Sequence, residues 1–335
     1  MSLLSSLKAS MVLTLVLLFG FLTAIFGLVV YFYGPGLGTA AGVGLVVFFV
    51  VVMALLQFWL SPVIIKWVTR MREISPSDYP EIHSIVDDVC RVSGVKKPRV
   101  YLVQDASPNA FAFGRTPSDS NIAIHAGLLN LLNKEEVTGV IAHEIGHVRH
   151  WDVGIMTIAS MIPLLVYYLI ILFAPRDREG RGSGLGIVLV FVGAIIAQLI
   201  SQLLVMQLSR ARESYADAFS AVVTKNPAAL QTALAKISYG VNPQPSKASQ
   251  SLRAFYISDP FEAPGPKSLG KEVEESEGKE KIRVRADEID HAIKWERDHG
   301  GFEWFMTHPF TYRRIDSLEA LKKDVSAGRV SLKDV

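Results

Sequence analysis

Val140-Ile141-Ala142-His143-Glu144-Ile145-Gly146-His147 sets the reading of the whole chain. Its apolar residues recur with helical spacing, and on a helix residues four apart share a face. His143 and His147 therefore turn both imidazoles toward one point, where a single metal ion fits. Glu144 follows the first histidine directly, so its carboxylate stands beside that point and can take a proton from water there. Asn133, with Glu136 three residues on, is a capping signal for the start of this helix. The residue pattern is that of a zinc site built for hydrolysis.

A catalytic zinc site takes three protein ligands and keeps one position open. His150 continues the same face, but it lies roughly 10 Å from His143 at ~1.5 Å per residue, too far to share an ion. A longer pattern with a third histidine further along the same stretch needs glycine at 150 and histidine at 153. The chain has His150 and Val153 there. The remaining candidate is Glu213, in Ser209-Arg210-Ala211-Arg212-Glu213-Ser214-Tyr215-Ala216-Asp217-Ala218. Asp217 follows it by four residues on the same helical face and suits a carboxylate that orients a ligating histidine. An acidic stripe paired with Arg210 and Arg212 is the alternative that these residues leave open without the first motif.

Hydropathy gives an independent check. No charged residue occurs from Ala9 to Ile65, and Gly34-Pro35-Gly36 divides this run into apolar segments of about 12–33 and 40–60. Residues 153–174 and 185–208 form two more, separated by the polar stretch Arg176–Ser183. Each is long enough for about 30 Å of hydrocarbon, and Pro163 is tolerable inside a span. Two crossings between His147 and Glu213 return the chain to its starting side, as a shared ion requires. The domain plan follows: 1–65 a transmembrane hairpin, 66–152 the first part of a catalytic domain, 153–208 a second hairpin, and 209–335 its second part. Lys8, Lys66, Arg70, Arg72, Arg149, Arg210 and Arg212 flank the spans on the motif's side, against Arg176, Arg178 and Arg181 opposite. That bias places the catalytic domain in the cytoplasm of a multi-pass protein of the cell membrane.

Half of the 335 residues are hydrophobic and the net charge is +2, which gives no reason to expect nucleic acid as a partner. Cys90 is the sole cysteine, so no intramolecular disulfide forms. In the soluble part, Pro80–Val92 reads as an amphipathic helix. Arg99–Gln104, Ala110–Gly114 and Asn121–His125 read as short strands, and Leu128–Leu132 as a helix. Further helices are expected to about Val223, at Ala228–Ser238, Ala286–Arg297 and Ile315–Lys323. The Pro-, Ser-, Gly- and charge-rich segment 242–281 reads as a mobile loop.

Taken together, His143-Glu144-x-x-His147, Glu213-x-x-x-Asp217, Asn109-Ala110-Phe111-Ala112 and His308-Pro309 followed by Arg314-Ile315 resemble the HtpX-type membrane metallopeptidases, relatives of the CAAX prenyl endopeptidases. The resemblance covers nearly the whole chain. It implies an α+β fold in which four transmembrane helices carry a zincin-like metallopeptidase domain, mostly helical with a small sheet. It implies one zinc ion per chain, membrane-protein or peptide substrates met at a lipid bilayer, and endoproteolysis in quality control. It further implies that Asn109–Phe113 belongs to the edge strand that aligns the substrate, with Asn109, Ala110 and Phe111 binding it, and that His308 and Arg314 face the active site. The chain departs from the pattern at Phe310, where a second proline is common, and at Ser214, where an aromatic is frequent. Neither position is a ligand.

The expected mechanism has zinc held by His143, His147 and Glu213, Glu144 as general base and then acid, His308 as a donor to the oxyanion, and Asp217 orienting His143. A prenyl-protein peptidase and a catalytically silent zinc-binding scaffold are the alternatives. The four spans argue against the first. Glu144, which a closed structural site does not need, argues against the second.

Overall fold

A reciprocal cap starts the motif helix. Asn133 Oδ1 accepts from the Glu136 N–H and Glu136 Oε2 accepts from the Asn133 N–H, both at 2.9 Å. Two backbone donors that the helix start would leave unpaired are thereby satisfied. The helix, Lys134–Arg149 (α4), is buried almost all round, with Val140, Ile141, Ala142 and Ile145 fully enclosed. Truncating Ile141 to alanine would cost about 2–5 kcal/mol. Gly146 sets how close α4 lies to its neighbour: a Cβ there would stand 3.0 Å from the Phe219 ring and 3.3 Å from Ala216 Cα.

The computed structural model describes residues 21, 37–172, 184–239, 272–276, 279–283, 286–300 and 303–335. The chain divides into two compact units. Of the described residues, those in 61–153 and 210–335 belong to the first and those in 21–60 and 154–209 to the second.

In the first unit, helix Pro80–Ser93 (α2) precedes a mixed sheet of Arg72–Glu73 (β1), Arg99–Val103 (β2), Ala110–Gly114 (β3) and Ser120–His125 (β4). The order is β1-β2-β4-β3, with β2 parallel to β4 and the outer pairs antiparallel. Side chains alternate between two apolar layers, as the period of a strand demands. Val100, Leu102, Ala110, Ile122 and Ile124 join α2 and α4 in the main core, while Tyr101, Val103, Phe111, Phe113 and Ala123 pack with Ile65 on the other face. Ala126–Leu131 (α3) links β4 to α4.

The end of helix Gly184–Thr224 (α6) lies on α4, where Ser220 Oγ donates to Gly139 O at 2.7 Å. Pro227–Tyr239 (α7), Ala286–His299 (α8) and Thr311–Ser326 (α9) complete this unit. Buried Glu296 of α8 accepts from Tyr239 Oη of α7 and from the Tyr312 N–H of α9, which ties the three helices together. Of the expected loop 242–281, residues 240–271 lie outside the described residues. Its end enters an antiparallel hairpin of Glu272–Ser276 (β5) and Lys279–Arg283 (β6), which the charge-rich composition did not signal.

The second unit contains most of helix Leu37–Thr69 (α1), helix Asp152–Leu172 (α5) and the first part of α6. Ala159, Ile162, Val166, Ala197, Val205 and Leu208 form its buried cluster. Val188, Leu189, Ile195, Ile196 and Leu199 of α6 are exposed although apolar. Among the described residues, α6 is by itself long and apolar enough to cross a membrane. Helices α4 and α5 pass the same test only when taken together as one broken span. Of the four expected spans, 12–33 falls outside the described residues apart from residue 21; 40–60 falls within α1, 153–174 overlaps α5, and 185–208 lies within α6.

Candidate active site

Helix α4 presents His143 and His147, one turn apart, toward Glu213 of α6. The two Nε2 atoms are 3.1 Å apart. Glu213 Oε1 lies 3.4 Å from His147 Nε2 and Glu213 Oε2 lies 3.6 Å from His143 Nε2. One ligand atom from each of His143, His147 and Glu213 lies within 4.8 Å of the others, a group small enough in size to share one metal ion.

The tautomers agree with that size. His143 Nδ1 lies 2.9 Å from Asp217 Oδ1, and His147 Nδ1 lies 2.6 Å from Asp152 Oδ2. A carboxylate beside each Nδ1 favours the proton there and leaves a lone pair on each Nε2. Two imidazole nitrogens and a carboxylate then face one point, an arrangement that favours positive charge at its centre. The donor set of two imidazoles and one carboxylate is zinc-like. Titration gives the same sign. Burial opposes charge on His143 and His147, but Asp217 and Glu213 at the first and Glu213 at the second outweigh it and raise both. Burial likewise opposes ionisation of Glu213, yet His308 and the two α4 imidazoles hold it well below the usual carboxylate range.

Each orienting carboxylate is itself held by an arginine. Arg314 Nε and Nη2 donate to the two oxygens of Asp217 at 2.8 and 2.7 Å, a bidentate pair with the guanidinium 2% exposed. Arg212 pairs with Asp152 and donates to His150 O at 2.8 Å. Arg210 turns elsewhere, donating to the carbonyls of Glu303 and Met306. Glu213 and Asp217 are thus buried members of one network, not an exposed stripe.

Glu144 is buried next to the triad, and its Oε2 accepts from the Ala112 N–H of β3 at 2.7 Å. Burial raises its affinity for protons, against the pull of His143 and His147. Among the described residues β3 is an edge strand, and its side away from β4 runs past this carboxylate. His308 Nδ1 stands 3.4 Å from Glu213 Oε2.

The remaining expected site residues divide. Asn109 and Ala110 are buried at the start of β3, and Asn109 O accepts from the His125 N–H at 2.9 Å. The Phe111 ring faces the other layer, 5.8 Å from that of Phe113, so only its backbone belongs to the strand's edge. Arg314 is close to the site, but through Asp217 and, at 3.4 Å, Glu213 Oε2. Sequence reasoning missed Asp152 and the pairing of Arg212 with it. The signal for Asp152 was faint: an acid five residues after His147, just past the end of the motif helix. His150 stays outside the triangle, packed edge-on against Tyr215 and Phe219.

Residues 76–322 match Peptidase family M48. A protein named Protease HtpX homolog from Methanothermobacter thermautotrophicus is 37% identical over 242 residues, covering 71% of this chain and 88% of its own. Another of that name, from Picrophilus torridus, is 31% identical over 307 residues, covering 89% and 90%. The crystal structure of S. mikatae Ste24p shares the fold with a TM-score of 0.51 at 17% identity, over 94% of this chain and 66% of that one. The chain is a metallopeptidase and belongs to Peptidase family M48.

Proposed function

We propose that the chain is a membrane-embedded, zinc-dependent endopeptidase that cleaves membrane or misfolded proteins in quality control. The observation that carries this reading is the convergence of His143, His147 and Glu213 on one point beside Glu144, under the free edge of β3. In it, His143, His147 and Glu213 hold one zinc ion, which supplies a Lewis acid toward water and toward a peptide carbonyl. An extended peptide pairs with the main chain of β3, from Asn109 and Ala110 through Ala112, as an added strand. Glu144 takes the proton from the attacking water and passes it to the leaving amine. His308 donates to the oxyanion, next to Glu213. Asp217 and Asp152 fix the two imidazoles, and Arg314 and Arg212 fix those carboxylates. Arg314 accordingly acts on the site through Asp217 and not on the substrate.

The same reading includes four spans, at about 12–33, 40–60, 153–174 and 185–208, with the catalytic unit on the cytoplasmic side. The exposed apolar face of α6 and the protease relatives that align over most of the chain support it. The test uses the purified full chain in lipid nanodiscs with a membrane-anchored reporter. Chelation should abolish cleavage and zinc should restore it. Glu144→Gln should keep its zinc while cleaving ~10²–10⁴-fold more slowly. Cleavage indifferent to both treatments refutes the reading.

A further inference from the structure

Helix α9 starts without a cap of its own. Its N-cap position is Phe310, whose side chain cannot accept from the first turn, and that turn holds no acidic residue. The first N–H groups of a helix have no partner inside it and need acceptors from elsewhere. Here they come from two glutamates outside the helix. Glu303 Oε1 accepts from the Phe310 N–H at 2.8 Å. Glu296 Oε2 of α8 accepts from the Tyr312 N–H at 2.9 Å, and the Thr311 N–H also faces this carboxylate. The Arg313 and Arg314 N–H groups both reach Phe310 O. The backbone donors from Phe310 to Arg314 are thereby all placed.

The two carboxylates are fixed in turn. Tyr239 Oη of α7 donates to Glu296. Arg313 Nη1 lies 2.6 Å from Glu303 Oε2. Arg210 of α6 fastens the turn that carries Glu303, donating to Glu303 O at 2.9 Å and to Met306 O at 2.6 Å. Glu296 is buried, and among the described residues its partners are neutral donors, unlike Asp217 and Asp152 with their arginines. An apolar side chain of that size would fill the space without the cost of a buried carboxylate, so packing does not account for it. What the carboxylate adds is a bond from α8 to the start of α9, where the helix dipole favours negative charge. A cap borne by α9 itself would satisfy the same N–H groups without tying the helix to its neighbours.

That tie matters because of what the segment carries. Arg314 lies in the first turn of α9 and is bidentate to Asp217, which stands against His143. His308, just before the helix, stands beside Glu213. We propose that Glu296 and Glu303 are positioning residues for the metal centre: they fix the start of α9 so that Arg314 stays on Asp217 and, through it, the His143 ring keeps its place. The proposal rests on the zinc reading above.

Losing a cap weakens the start of a helix by a factor of about 2–30. The full chain in lipid nanodiscs is titrated with zinc against a chelator of known affinity. Glu296→Leu and Glu303→Ala should each raise zinc Kd by about 3–30-fold, less than the roughly 10–100-fold expected when an orienting carboxylate itself is removed. Glu296→Gln, which keeps an acceptor for the Tyr312 N–H, should stay within about twofold of wild type. In an Asp217→Asn background, Glu296→Leu and Glu303→Ala should change Kd by less than about twofold, because the path through Asp217 is already cut. A general loss of stability would add equally in both backgrounds. A Kd unchanged in the folded variants, or raised equally with and without Asp217, overturns the proposal. Glu303 is less buried than Glu296, so its variant decides the matter if Glu296→Leu does not fold. A second arm follows hydrogen exchange of the 310–314 amides in metal-free protein, which both variants should speed. If the wild type binds no zinc, the zinc reading fails by itself. Faster exchange confined to these amides then keeps the hold on Arg314, and unchanged exchange sinks it.

Discussion

Asp152→Asn isolates one charge in the site. The residue is buried, and its Oδ2 stands 2.6 Å from His147 Nδ1. Asparagine keeps the shape and one oxygen that can accept from Nδ1, so the ring holds its orientation and only the charge is lost. A hydrogen bond to a charged group contributes about 1.5–3 kcal/mol. Loss of an orienting partner weakens metal binding by roughly 10–100-fold, which is about 1.4–2.7 kcal/mol. The two ranges overlap, and a 10–100-fold rise in zinc Kd is expected. A second effect runs in parallel. Arg212 loses its carboxylate while buried, and breaking such a pair costs up to about 3–5 kcal/mol of stability. Its bond to His150 O at 2.8 Å remains, so the cost should fall short of that ceiling. Zinc affinity is read by competition with a chelator of known affinity, at a temperature where the variant is folded by circular dichroism. Arg212→Met, which keeps Asp152, serves as the control for the stability effect. A zinc Kd within about threefold of wild type in folded Asp152→Asn would refute the idea that this carboxylate tunes the ligand.

Glu213→Ala should strip most of the zinc and His150→Ala should not, because only the first stands in the triangle; metal content of the two purified proteins decides it, and the reverse ranking refutes the ligand choice. His125 and His150 are both pushed down to about 4, chiefly by burial, below the ordinary ~6.5. Their neutral forms belong to the folded state, so the stability they contribute is present above pH ~6.5 and lost as pH falls toward 4. The loss approaches about 3 kcal/mol for His125 and less for half-buried His150. His150→Phe in zinc-free protein should flatten the fall in Tm between pH 6.5 and 4, and an unchanged slope would refute this. For the four-span reading, single cysteines at Gly184 and Ser331 in a Cys90→Ala background should react with an impermeant reagent from opposite faces of sealed vesicles. Reaction from one face would mean that the third and fourth segments do not both cross.

Local signals were readable where the cause is local. The cap at Asn133, the alternation over Ala110–Gly114 and the helix from Pro80 need only near neighbours, and the expected bounds differ by a residue or two. The grouping of His143, His147 and Glu213 was readable because helical spacing leaves few alternatives. Asp152 was not. It reaches His147 because the helix breaks at Trp151, whose positive φ no propensity scale anticipates. Arg314 carried no local sign of its partner either, since Asp217 lies 97 residues away along the chain. The short strand β1 gains its structure from pairing with β2, not from its own two residues, Arg72 and Glu73.

The charges around the triangle explain why so many ionisable groups tolerate burial together. Glu144, Glu213, Asp217 and Asp152 are all buried carboxylates, and Arg314 and Arg212 are the guanidiniums buried among them. With every carboxylate ionised, the four acids and two arginines leave two negative charges, which one divalent cation neutralises. A monovalent ion would leave a charge uncompensated among buried groups, where screening is weak, a cost that pairing normally removes. The arginines therefore do more than align Asp217 and Asp152. Without them the acceptors needed to fix two imidazoles would carry four negative charges into the interior, and Glu144 would be driven further toward its protonated form, which cannot act as a base. Placing Arg314 on Asp217 and Arg212 on Asp152 lets each imidazole have its carboxylate while the charge left at the centre stays matched to one divalent cation, as the proposed zinc would be.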